Sequence, residues 1–154
     1  MYPIILTLHS LVRWLVLISL LFSLYRAYHG WLTGRSYSRF DASVRYWTVS
    51  IAHTQLLLGL LLYFISPIIH YFLYNFKDAV QIREYRFFGM EHSVMMLTAM
   101  VLITIGSAKA KRKQSDKEKY RTVAIWFTIG LVIILIAIPW GFSPLVHRPY
   151  LRSF

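Results

Sequence analysis

Long apolar segments alternate with short polar ones along the whole chain. Each segment is close to the roughly 20 residues that an α-helix needs to cross the hydrocarbon core of a bilayer. The pattern predicts membrane-spanning helices at about 4–28, 46–70, 87–108 and 122–142. Because short connections favour antiparallel neighbours, we expect an all-α fold in which 1–154 forms a single membrane domain, an antiparallel bundle of four transmembrane helices.

Composition supports a membrane protein and limits its chemistry. Hydrophobic residues make up 57% of the chain and charged residues only 15%, a balance that is atypical of soluble domains. Four spans and their loops use nearly all of the length, so we expect any chemistry to lie inside the bundle. Because the sequence has no cysteine, disulfides, thiolate-bound metals and thiol nucleophiles are excluded. His, Met, Tyr and carboxylate groups remain as candidate ligands.

The basic residues indicate how the bundle is oriented. Eleven Lys and Arg residues border the first and third loops, whereas five border the second loop and the C-terminal tail. The positive-inside rule then places the two richer loops in the cytoplasm and both termini outside, in the periplasm. We therefore expect a multi-pass protein of the bacterial inner membrane. Anionic lipid and topology account for the formal charge of +11, so no nucleic-acid partner is expected.

Two histidines are predicted to lie at the same depth in the membrane. His9 and His92 each fall about six residues, or about 9 Å, inside the outer boundary, on the first and third helices. These helices lie diagonally opposite in an antiparallel bundle, so their imidazoles can ligate a b-type haem from both faces. The alternative is that both rings form hydrogen bonds between helices without a metal. A metal ion without porphyrin is disfavoured, because no further ligand pattern accompanies the pair beyond Glu91.

Arg13 and Glu91 form a second predicted constellation. Arg13 follows His9 by four residues and shares its helix face, one turn deeper, while Glu91 precedes His92. We expect a buried Arg13–Glu91 ion pair that clamps two helices or orients an imidazole. Alternatively, Glu91 is a protonatable group beside a quinone head, with His92 relaying the proton.

His53, on the second helix, is predicted to lie about 15 Å from the level of His9. Met100 is the nearest candidate for a second ligand at that level, which would make a further haem site. We favour instead polar contacts between helices by His53 and Gln55, with Gly59 permitting a close approach.

Several short motifs together resemble one family. They are His9-Ser10-Leu11-Val12-Arg13-Trp14, His53-Thr54-Gln55 followed by Gly59 and Tyr63-Phe64-Ile65-Ser66-Pro67, Glu91-His92 with Met96, and Ile138-Pro139-Trp140. In this combination the chain resembles the small four-helix membrane proteins labelled cytochrome b or cytochrome-b-like, along all four helices. The resemblance implies electron transfer through haem b. Diheme membrane cytochromes usually have two ligand pairs at two depths, whereas only one level pair is visible here.

We therefore expect a membrane-bound electron carrier, with one haem between the first and third helices, that passes electrons between a quinol and a protein partner. The alternative is a non-catalytic accessory subunit of a larger respiratory or other membrane complex, with no cofactor of its own. An enzyme or transporter that moves protons through Glu91 and His92 is disfavoured, because the sequence shows no broken span or inverted repeat.

Overall fold

The computed structural model describes residues 1–141 and Val146, and all regular structure in that part of the chain is helical. The helices are α1 (Tyr2–Thr33), α2 (Arg39–Ile65), α3 (Pro67–Tyr74), α4 (Phe76–Ala79), α5 (Arg83–Arg86), α6 (His92–Arg112) and α7 (Asp116–Ala137). A π-helical turn, Phe87–Glu91, joins α5 to α6. The predicted all-α class is confirmed.

Four helical segments of the described chain are long and apolar enough to cross a membrane. They are α1, α2, the combined segment Arg83–Arg112 and α7, which confirms the predicted number of spans. Their bounds differ from those expected. The second span was predicted to reach His70, but α2 ends at Ile65, because Ser66 precedes Pro67 and adopts the extended backbone that proline favours. Residue 142, the predicted end of the fourth span, lies outside the described residues.

The four long helices form a ring. α1 packs on α2 and α7, and α6 packs on the same two neighbours, so α1 and α6 lie on a diagonal. The α6–α7 contact is the most extensive, and glycine allows it: a Cβ at Gly106 would lie 2.2 Å from the Cβ of Trp126. The α2–α6 contact is the least extensive of the four. Space therefore remains beside α2 and α6 inside the bundle.

Helix caps fix the end of the bundle where the first and third loops lie. Gly34 ends α1 with a left-handed φ of 68°, a conformation that costs glycine little. A capping box then starts α2: Ser38 Oγ accepts from the backbone N–H of Asp41 at 3.2 Å, and the Asp41 carboxylate accepts from Ser38 N–H at 3.0 Å. At the start of α7, Ser115 Oγ accepts from Glu118 N–H. The caps leave only short connections between the helices. We call this end of the bundle the loop end.

A buried carboxylate joins several elements at the loop end. The Asp41 side chain is only 2% exposed and accepts from Arg26 Nη2 at 2.7 Å and from Arg35 Nη2 at 3.0 Å. The Tyr120 hydroxyl lies 2.8 Å from the other carboxylate oxygen. Asp41 thereby connects α1, the first loop, α2 and α7. The sequence analysis did not identify this cluster.

Tyr37, in the first loop, packs against the same cluster. Its ring centroid lies 4.9 Å from that of Tyr120, in an edge-on arrangement. Burial raises the pKa of Tyr37 above its ordinary value, although the hydrogen bond with Arg45 acts in the opposite direction. The phenol therefore stays neutral at physiological pH and covers the buried charges as an uncharged ring.

Candidate functional site

A cavity of about 230 Å³ lies between α1, α2 and α6, in the half of the bundle where α1 begins. That is several times the roughly 30 Å³ that one water molecule takes up in the liquid. Most of its lining is apolar, and its polar lining includes His9 and Arg13 from α1, Gln55 from α2 and His92 from α6. The structure thus brings the two predicted ligand histidines to one cavity.

Two apolar residues of the cavity lining are themselves partly exposed. Leu60 of α2 and Leu97 of α6 are 44% and 52% exposed. The helices that carry them share the least extensive of the four helix contacts.

His92 is held in one orientation by the backbone of α7. Its Nδ1 lies 2.8 Å from the carbonyl oxygen of Ala137. A carbonyl oxygen can only accept, so Nδ1 carries the proton and Nε2 keeps its lone pair. The rings of Phe87 and Phe88 pack on the imidazole at centroid distances of 5.7 and 6.0 Å. His92 is therefore held in one orientation, and Nε2 has no hydrogen bond in the described chain, so that in the neutral ring it can act as a ligand.

Pro139 explains why the carbonyl oxygen of Ala137 accepts from His92 and not from a backbone N–H of its own helix. Ile138, which precedes the proline, takes an extended ψ of 130° and ends α7, and Pro139 itself has no N–H to donate. The last carbonyl groups of the helix therefore need other donors. Trp140 Nε1 donates to Leu135 O at 2.8 Å, and His92 donates to Ala137 O. The Ile138-Pro139-Trp140 motif thus forms a helix end that positions the His92 ring.

His9 lies on the opposite side of the cavity, against α2. Gln55 Nε2 donates to the backbone oxygen of His9 at 2.9 Å and lies 3.3 Å from its Nε2. A Cβ at Gly59 would be 3.3 Å from His9 Cε1, so the missing side chain makes room for the ring. Within the described residues, His9 Nδ1 and Gln55 Oε1 are buried and have no hydrogen-bond partner. Because an amide nitrogen only donates, His9 Nε2 shares its lone pair with Gln55, and the unpartnered Nδ1 is an N–H group.

Arg13 and Glu91 are not arranged as predicted. Arg13 lines the cavity, close enough to His9 and His92 for its charge to act on both rings. Glu91 Oε1 instead accepts from Arg86 Nε at 2.8 Å, and Glu91 is not part of the cavity lining. The predicted Arg13–Glu91 pair is therefore wrong. The cavity contains a cation beside two imidazoles, with the carboxylate placed outside.

His53 is separate from the cavity. It is exposed on the outer surface of α2, and its Nε2 lies 3.0 Å from Thr104 Oγ1 on α6. The polar contact between helices that the sequence predicts for His53 is confirmed. Gly59, which was expected to serve the same contact, packs against His9 instead.

The described residues contain no group of three or more His, Cys, Asp or Glu side chains placed to hold a metal ion. The two imidazoles that line the cavity are His9 and His92. Comparison with family models, curated proteins and solved structures found no match for the chain. The fold and site define a multi-pass helical protein with a two-histidine cavity between membrane-length helices.

Proposed function

We propose that this protein is a membrane-bound, cytochrome-b-like electron carrier that binds one haem b in the cavity, where His9 and His92 would hold its iron. One observation carries the proposal: imidazoles from two diagonal helices line the same cavity, where Nε2 of His92 has no hydrogen-bond partner in the described chain and Nε2 of His9 has only the side-chain amide of Gln55, at 3.3 Å. Bound haem would supply one-electron exchange at its iron.

The surrounding residues are suited to orient such ligands. The hydrogen bond from His92 Nδ1 to Ala137 O fixes the ring and makes Nε2 a better electron donor, as acceptors on the second nitrogen do in metal sites. Gln55 and Gly59 hold His9 on the opposite wall. Arg13 adds a positive charge beside both rings, and the apolar walls limit the access of water.

The proposed location is the inner membrane of a bacterium. The excess of Lys and Arg around the first and third loops supports a cytoplasmic loop end, with both termini in the periplasm. The cavity would then lie in the outer half of the bilayer. Its largely apolar lining supports a lipid-soluble quinol as electron donor, with a periplasmic protein as acceptor.

A spectrum of the purified protein tests the haem directly. After expression with added haem precursor, we expect sharp α and Soret bands in the reduced-minus-oxidised spectrum, and His9→Ala or His92→Ala should abolish them. His53→Ala and His70→Ala are matched controls, because both side chains are exposed and neither lines the cavity. A haem-free wild type after reconstitution with haem, or full bands in His92→Ala, would overturn the proposal.

A second candidate is an accessory subunit without a cofactor. It is favoured by the hydrogen bonds that His92 and Gln55 already make to backbone oxygens of neighbouring helices, which connect the bundle without any ligand. In that case the spectrum has no haem bands, and His92→Ala lowers the stability of the bundle. Copurification from native membranes would then identify the complex to which the chain belongs.

A further inference from the structure

The outward face of α2 carries a regular stripe of side chains. Only 11% of the apolar window of α2 is buried, against 28% for α1 and 44% for α7. The stripe consists of residues that alternate at spacings of four and three along the helix: Tyr46, Ser50, His53, Leu57, Leu60 and Phe64. This spacing, close to the 3.6 residues of one helical turn, places all six on one face of α2. We refer to these six residues as the α2 stripe.

His53 places a hydrogen-bond acceptor in the middle of the α2 stripe. Thr104 Oγ1 donates to Met100 O at 2.7 Å, so its hydroxyl can only accept from His53 Nε2. Nε2 therefore carries the proton and Nδ1 has the lone pair. No residue of the described chain donates to Nδ1, although His53 lies fourteen residues after the start of α2 and twelve before its end. A polar atom that faces lipid at this depth is unfavourable.

We propose that a second copy of this chain covers the α2 stripe, with the two α2 helices packed side by side about a two-fold axis normal to the membrane. Such an axis brings equal heights together, so the central polar layer of one copy meets that of the other. His53 Nδ1 can then accept from a hydroxyl of the neighbouring layer, such as Ser50 of the partner subunit. Polar contacts of this kind hold transmembrane helices together.

Symmetry is what favours a second copy over another protein. Two hydroxyl groups lie near His53 on α2, Ser50 in the α2 stripe and Thr54 beside it, and both donate to backbone carbonyls of their own helix at 3.1 Å. Such hydroxyls can rotate toward a better acceptor. Two copies therefore supply donor and acceptor at the same depth, together with apolar side chains above and below. This inference does not depend on haem.

Disulfide crosslinking tests the interface, because the chain has no cysteine of its own. Leu57→Cys lies on the α2 stripe at 62% exposure, and Ile18→Cys, on α1 at 63% exposure, is the matched control. Under mild oxidation in membranes we expect a covalent dimer of twice 18.2 kDa from Leu57→Cys and none from Ile18→Cys. Adding His53→Leu to Leu57→Cys should lower the dimer yield several-fold.

Phe64→Cys, at 73% exposure on the same stripe, provides a second site if Leu57→Cys fails to fold. Equal crosslinking of stripe and control variants, or none from a folded stripe variant, would refute the dimer. An adduct whose mass shows a different polypeptide would also refute it, in favour of a complex with another protein. Each result is obtained whether or not the preparation contains haem.

Discussion

Replacing Asp41 with Asn removes the negative charge that joins four elements at the loop end. The side chain keeps nearly the same shape and one carbonyl oxygen, so the change tests the charge more than the packing. Arg26 and Arg35 would then lose their shared anion, and the Tyr120 hydroxyl would face an amide. We expect a clear loss of stability with the four long helices still formed.

The expected magnitude follows from burial. Removing one member of a fully buried ion pair destabilises a protein by about 3–5 kcal/mol. Here the Asp41 side chain is 2% exposed, but Arg26 and Arg35 are 23% and 34% exposed, and water partly screens their charges. We therefore expect Asp41→Asn to lower the free energy of unfolding by about 2–3 kcal/mol.

An SDS titration in mixed micelles, followed by far-UV circular dichroism, measures this free energy. Glu118→Gln is the control, since Glu118 is 53% exposed and pairs with Lys113 at 3.3 Å across a solvent-exposed turn. Its loss should lower stability by about 0.5 kcal/mol or less. A difference of less than about 0.5 kcal/mol between the two variants, the scale of an exposed pair, would refute a dominant structural role for the Asp41 carboxylate.

Three further changes test the packing and the site. Gly59→Val adds atoms where even a Cβ would lie 3.3 Å from His9 Cε1, so if the proposed haem binds, its occupancy should fall several-fold at unchanged helix content, and full occupancy would contradict this placement. Gly106→Ala forces a Cβ against Trp126 and should lower stability by about 1–3 kcal/mol in the same SDS titration, whereas no change would argue against so close a contact. Arg13→Gln removes a cation beside His9 and His92. Because a nearby positive charge favours the reduced state, a redox titration of the proposed haem should give a lower midpoint potential, and a higher value would contradict this.

The coarse fold could be predicted because the bilayer limits it so strongly. A span needs about 20 apolar residues, so hydropathy alone identifies four helices, and chain order then places the first and third on a diagonal. The rise per residue places His9 and His92 at similar depths. Those steps use only helix geometry, and the structure brings both side chains to one cavity.

The partner of Glu91 could not be predicted from helix geometry. Arg86 and Glu91 are five residues apart, and in a regular α-helix such residues point about 140° away from each other. The π-helical turn Phe87–Glu91 changes this spacing and allows their side chains to meet at 2.8 Å. No apolar pattern marks a π-helical turn, and the prediction therefore paired Glu91 with Arg13.

The Asp41 cluster was missed for a different reason. Its members are separated by 15 residues in one case and by 79 in another, and each is an ordinary polar residue near a helix end. Only the packing of α1, α2 and α7 brings them together. The short helices α4 and α5 lie between the predicted spans, and α3 overlaps the predicted end of the second span, because none of the three is long enough to show a clear periodicity.

The anchor of His92 is a main-chain oxygen, and this affects how the site tolerates mutation. Replacing the side chain of Ala137 cannot delete that acceptor, so point changes there alter volume but leave the hydrogen bond possible. Inserting or deleting one residue near Pro139 would move the acceptor along and around the helix axis. The site should therefore withstand many substitutions in α7 yet be lost through small changes in its length.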